Sequence, residues 1–233
     1  MSTATYGTAF IIGAGHGLSA SLARLLRTEG LQVALAARDT SKLEPLAEEI
    51  GALTVEADAA DPRSMAAAFR RVDERIGPAD VVVYNASARL RGPLVELDAA
   101  AVRTALEVSA FGGFIAAQEA ARRMLSKGSG AILFTGASAS IKGYAQSAPF
   151  AMGKFALRGL AQSMARELAP RGIHVAHFVI DGAIRSASRP TAAEAPDSQL
   201  DPDAIARTYL HVLRQDRSAW TWEVELRPWV ERF

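Results

Sequence analysis

Short apolar runs alternate with stretches of helical periodicity along almost the whole chain. The runs fall at residues 9–12, 33–37, 53–56, 81–84, 131–135, 175–180 and 223–226. Between them, apolar residues recur at spacings of three and four, the mark of helices with one buried face. Apolar strand, helix, apolar strand in regular succession predicts parallel strands buried on both faces and joined by right-handed helical crossovers. The expected fold class is α/β: one domain over residues 1–233, with a doubly wound sheet of about seven strands and helices on both sides. Ligands in such sheets sit at the carboxyl ends of the strands, near the switch in strand order. The residues just past each strand are therefore the ones to weigh.

The first strand end is the most informative. Gly13, Gly15 and Gly17 fall within five residues, Leu18, Leu22, Leu25 and Leu26 mark a helix, and Gly30 precedes the second run. Main-chain N–H groups of Gly13, Gly15, His16, Gly17 and Leu18, with the positive end of the helix behind them, make a site for a pyrophosphate. Glycine is needed where a Cβ would hold the phosphates off the backbone. Glycines also occur in turns simply to let a helix pack close to a strand. Here strand and helix are both in place, which favours a dinucleotide-binding Rossmann fold.

After the second strand come Ala36, Ala37 and Arg38. An acid about 20 residues past the glycine turn suits a free ribose 2′-hydroxyl, whereas an arginine suits a 2′-phosphate. No acid is expected at that place, so the cofactor is predicted to be NADP(H), with His16 as a second positive group facing the phosphate. Asp58 and Ala59 follow the third strand, Asn85, Ala86 and Ser87 the fourth. An Asp there can accept from an adenine amine, and small residues let backbone lie against a ribose. Each is also an ordinary turn with local hydrogen bonds.

Two long helices carry continuous stripes. Val102, Leu106, Ser109, Gly113, Ala116 and Ala120 form one, which turns Ser109 inward. Phe150, Lys154, Leu157, Ala161, Met164 and Leu168 form the other, so Phe150 and Lys154 share a face one turn apart. A lysine on an apolar stripe is costly to bury without a partner, and this makes Lys154 a functional candidate.

Composition narrows the classes. With 233 residues and 49% hydrophobic content the chain supports a substantial core, and a net charge of +1 gives no field that would draw nucleic acid or an anionic membrane. The cluster Arg70, Arg71, Asp73, Glu74 and Arg75 reads as the solvated face of a helix. Zero cysteines exclude disulfides, thiolate catalysis and cysteine-ligated metal. No uninterrupted apolar segment reaches about 18 residues and the start lacks a signal pattern, so a soluble cytoplasmic protein without a metal site is expected.

Together the glycine turn, Asp58, the Asn85-Ala86 pair, the Lys154 helix and the Asp181-Gly182-Ala183-Ile184 segment resemble the short-chain dehydrogenase/reductase family over nearly the full length. Ser19 stands where that family has its last glycine, a small and tolerable change. The resemblance implies hydride transfer between a nicotinamide and a carbonyl or alcohol carbon. In the family a tyrosine relays the proton, and a lysine one helical turn later binds the ribose and lowers the tyrosine's pKa. A serine upstream orients the substrate, and an asparagine on the preceding long helix supports a water chain. Lys154 keeps the lysine's place, Gly182 and Ile184 fall in the cofactor segment, and Ser186 matches the threonine beside the carboxamide.

Three family places have changed. Phe150 stands for the tyrosine, Ala137 for the serine with Ser138 one residue later, and Ser109 for the asparagine. Phenylalanine has no proton to exchange, so the family mechanism cannot run unchanged. Tyr144, Ser138, Ser140, Ser147, a water or a substrate group are the candidate relays, and an imine or activated alkene is a candidate substrate besides a carbonyl or alcohol. A non-catalytic NADP(H)-binding sensor or assembly protein is the alternative.

Residues 184–200, with Arg185, Arg189, Pro190 and Pro196, have the make-up of a loop over a small-molecule substrate. Asp201 or Asp203 is expected to cap the next helix, with Pro202 in its first turn. The tail, residues 220–233, holds three tryptophans and a phenylalanine, which points to a subunit interface. The family resemblance adds the two long helices, so a homodimer or homotetramer is expected.

Overall fold

The computed structural model describes residues 6–186, 195 and 197–231. Its centre is a seven-stranded sheet, all parallel, in the order β3-β2-β1-β4-β5-β6-β7. The strands are β1 (Thr8–Ile12), β2 (Gln32–Ala37), β3 (Leu53–Glu56), β4 (Val81–Tyr84), β5 (Gly130–Thr135), β6 (Ile173–Ile180) and β7 (Glu223–Leu226). The helices are α1 (Leu18–Thr28), α2 (Glu44–Ile50), α3 (Pro62–Ile76), α4 (Ala99–Leu106), α5 (Gly112–Lys127), α6 (Ala148–Leu168) and α7 (Pro202–Leu213). All seven expected strands are present. The order reverses between β1 and β4, which is where the two windings part and a crevice opens.

Strand alternation divides the core into two layers. Ala9 and Ile11 face the side covered by α1 and α7, with Leu22, Leu26 and Tyr209. Phe10 and Ile12 face the side of α3, α5 and α6, with Phe69, Ala116 and Leu157. Phe10 meets Phe69 edge-on at 5.1 Å, a contact worth about 1 kcal/mol beyond its buried area. Asp201 caps α7 by accepting from the Asp203 N–H at 3.0 Å, with Pro202 at its first position, as the sequence predicts.

The stripe on the first long helix is interrupted. Between α4 and α5 the backbone widens into a π turn at Glu107–Phe111, so Ser109 sits on the irregular stretch and is 1% exposed. Such a turn leaves a carbonyl without its helical partner, and the buried Tyr84 hydroxyl donates to that of Val108.

The tail's tryptophans divide between the chain's own surface and solvent. Trp220 stacks on His174 at 4.5 Å and Trp222 packs under the Arg158 guanidinium, both half-buried in their own chain, while Trp229 is 82% exposed. Phe233, Arg189, Pro190 and Pro196 lie outside the described residues.

Candidate active site

The glycine turn is built around a near-contact of two backbones. Gly13 has φ +78°, and a Cβ there would stand 2.4 Å from the backbone of Ala86, so only glycine fits. Asn85 spends its side-chain amide on the same turn, donating to the Gly13 carbonyl at 3.0 Å and the Ser19 hydroxyl at 2.9 Å. Ser19, at the place of the family's last glycine, thus joins the brace. Around Gly15 and Gly17 the situation is the reverse, because a Cβ at either would meet open space. Behind them α1 begins with no side-chain cap and no acid in its first turn. Uncapped N–H groups at a helix start, facing a space that side chains leave empty, fit a bound diphosphate.

Two cavities meet at this turn. One, of about 480 Å³, is lined by Gly13, Gly15, His16, Arg38, Asp58, Ala59, Asn85 and Ala86; the other, of about 220 Å³, adds Gly17, Leu18, Ile184 and Ser186. The larger falls within the usual size of a ligand site. Of the residues expected to hold cofactor, only Gly182, packed against Pro228, and Lys154 line neither. Asp58 accepts from the Ala60 N–H at 2.9 Å, making the local turn and lining the crevice at once.

The expectation that no acid follows the second strand is corrected by Asp39, which lines the crevice beside Arg38. Its carboxylate is turned into the next bend, where it accepts from the Ser41 hydroxyl at 2.6 Å and N–H at 3.1 Å and pairs with Lys42 at 3.3 Å. The Ser41 hydroxyl and the Lys42 ammonium hold its pKa below the usual carboxylate range. Lys42, missed in the sequence, lines the same wall and adds a second cation near Arg38.

The catalytic candidates form a separate group. Lys154 is 3% exposed; its Nζ donates to the Thr135 carbonyl at 2.8 Å, and burial pushes its pKa down to about 8. Phe150 is half-buried, with its ring centroid 5.8 Å from that Nζ. Ser109 binds Ala88, accepting from its N–H at 3.1 Å. Ser138 is half-buried, and its hydroxyl has no hydrogen-bond partner among the described residues.

Two of the other relay candidates are buried. Ser140 is fully buried and committed to the Ala137 N–H at 3.2 Å and His177 Nε2 at 3.2 Å, and Ser147 is 3% exposed. Tyr144 stands on the surface, 46% exposed, with no hydrogen bond from its hydroxyl among the described residues.

A partly buried polar chain behind this group had no sequence signal. From Ser140 it runs through His177 to Glu223, 3.2 Å from His177 Nδ1, and on to Arg158, which grips that carboxylate at 2.6 and 2.8 Å. Burial lowers the His177 pKa to about 4 against the opposing pull of Glu223. Burial also works against charge on Glu223, but Arg158 and His177 outweigh it and its pKa is lowered.

Comparison with known proteins gives the same answer from a different direction. An uncharacterized oxidoreductase of Staphylococcus aureus is 26% identical over 98% of this chain and all of its own length. A short-chain dehydrogenase from Rhodopseudomonas palustris is 36% identical and superposes with a TM-score of 0.83 over 96% of this chain and 99% of its own. An alcohol dehydrogenase from Thermococcus sibiricus, solved with 5-hydroxy-NADP, is 26% identical with a TM-score of 0.86 over 97% and 98% of the two chains. Residues 7–195 match the short chain dehydrogenase family, and with the strand order and glycine turn they make this chain a member of that family and an oxidoreductase of its type.

Proposed function

We propose that the chain is an NADP(H)-dependent oxidoreductase acting on a small organic substrate, a carbonyl or alcohol, an imine or an enone, with a proton relay other than the family tyrosine, whose place Phe150 takes. The observation that carries this reading is the uncapped start of α1 above open space at Gly15 and Gly17, in a crevice whose other wall holds Arg38 and Lys42. The Thermococcus relative's 5-hydroxy-NADP supports a phosphorylated cofactor by likeness. Bound here, the nicotinamide would supply or accept the hydride. The glycine turn and Leu18 hold the diphosphate, Arg38, His16 and Lys42 the 2′-phosphate, Asp58 and Ala59 the adenine side. Asn85 and Ala86 form the floor, Gly182, Ile184 and Ser186 the carboxamide side, and Lys154 meets the ribose. Ser138, whose hydroxyl has no partner among the described residues, is the side chain we assign to the proton; Tyr144 is the alternative on the surface side.

Titration with NADPH and NADH tests the cofactor, and loss of nicotinamide absorbance across carbonyls, imines and enones tests the reaction. NADPH is expected to bind the wild type about tenfold or more tightly than NADH, the scale of one charge-assisted contact, and Arg38→Asp to reverse the order. Equal wild-type affinities would defeat the NADP(H) assignment. Saturable NADPH binding without turnover on any substrate would favour the sensor reading.

We also assign the chain to a homodimer or homotetramer. The helix Ala99–Lys127 is long and apolar enough, by length and composition alone, to cross a membrane, with an apolar window of mean hydropathy 1.3 that is 33% buried. Its inner side packs Gly113 against Leu157 and Tyr84, while Phe111 and Phe114 are exposed on it, as are Met152 and Phe155 on α6. A second copy covering these helices would bury that surface.

A further inference from the structure

Two of the three altered family places, Ser109 and Phe150, are tied together through one loop. Ser109, on the π turn, accepts from the Ala88 N–H at 3.1 Å and donates to the Ala88 carbonyl at 3.4 Å, so one buried hydroxyl holds both main-chain polar groups of that residue. Ala88 lines the crevice. Its neighbour Arg89 lays its guanidinium over the Phe150 ring, with Cζ 5.0 Å from the centroid, and the Lys154 ammonium is 5.8 Å from the same centroid. Arg89 is exposed, and no carboxylate among the described residues pairs with it.

A guanidinium lying over an aromatic face keeps N–H groups at its edge, and that edge matches the two oxygens of a carboxylate. Phenylalanine at position 150 gives up the proton-bearing hydroxyl, but its ring offers the cation an apolar bed. Ser109 fixes the loop that carries the cation. A positive charge one residue past the crevice-lining Ala88, resting on Phe150, has nothing to pair with on a neutral substrate.

We propose that Arg89 binds a carboxylate on the substrate, with Phe150 as its platform and Ser109 as the positioning residue. Oxo acids, formyl acids and unsaturated acids are then the substrate class. This rests on the oxidoreductase reading above and narrows it.

4-Carboxybenzaldehyde and its methyl ester present the same carbonyl with and without the charge. Their dissociation constants are measured by calorimetry on the protein alone and on the protein saturated with NADP⁺, where no hydride can be delivered. The acid is expected to bind the wild type about tenfold or more tightly than the ester, with the advantage shrinking as salt rises. Arg89→Ala is expected to bring the two within about twofold and Arg89→Lys to keep part of the difference, since an ammonium retains the charge without the fork. Equal affinities in the wild type overturn the proposal, and so does an advantage that survives Arg89→Ala. A parallel NADPH titration separates the two readings. An acid preference without cofactor binding defeats the oxidoreductase reading alone, and cofactor binding without an acid preference defeats the carboxylate site alone.

Discussion

Lys154 is the residue on which sequence and structure agree most closely. Its place on an apolar stripe, one turn from Phe150, is legible from spacing, and the structure buries it with its Nζ on the Thr135 carbonyl. Burial depresses its pKa to about 8, while the unfolded chain titrates near 10.5. Between those values the unfolded state binds more protons, so stability rises with pH, by about 2 kcal/mol from pH 7.5 to 9.5. Chemical denaturation at the two pH values should show this increment in the wild type and a correspondingly smaller one in Lys154→Met. An unchanged increment would mean that the buried amine is not the titrating group. Other site residues were not legible. Arg89 owes its place to the bond between Ser109 and Ala88, 21 positions apart, and no local pattern announces such a link. Lys42 and Asp39 belong to a bend without periodicity, although the Asp39, Ser41, Lys42 spacing is that of a side-chain-capped turn.

At the level of elements, the apolar runs predicted the strands almost to the residue, because a strand buried on both faces has little choice of composition. The π turn at Glu107–Phe111 was invisible: its residues keep a helical stripe, and only the tertiary partners Tyr84 and Ala88 make the widened backbone tolerable. The chain from Ser140 through His177 and Glu223 to Arg158 was equally hidden, since its members come from the turn after β5, from β6, from β7 and from α6. It ties the end of β5 to the sheet's far side through an imidazole that burial keeps neutral. His177 titrates near 4 in the folded protein and near 6.5 when unfolded. Between these values the unfolded chain holds the extra proton, so stability falls as pH drops, by about 2 kcal/mol from pH 7 to 4.5. Denaturation at those two pH values should find the acid loss smaller by about that amount in His177→Gln, which keeps hydrogen-bonding capacity without the titration. Equal losses in the two proteins would remove His177 as an acid-sensitive point.

For the molecule as a whole, strand order and the position of the crevice follow from the alternation of strands and helices together with the handedness of crossovers. What covers the outer helices is not written in one chain. Exposed Phe111, Phe114, Met152 and Phe155 lead us to expect a dimer or tetramer in light scattering at micromolar concentration, and Phe114→Glu with Phe155→Glu should shift the mass toward the monomer. A wild-type monomer at that concentration would leave those side chains in water and end the assignment. The meeting of Gly13 with Ala86 has a further consequence for how such a protein can change. Room for one hydrogen and no more means that the middle of the crevice has no slack. A larger residue there would have to spread β1 from β4, and that would strain the pairing at the centre of the sheet. Change is easier at exposed side chains outside that contact, such as Arg38 and Arg89, which can be exchanged without moving a strand.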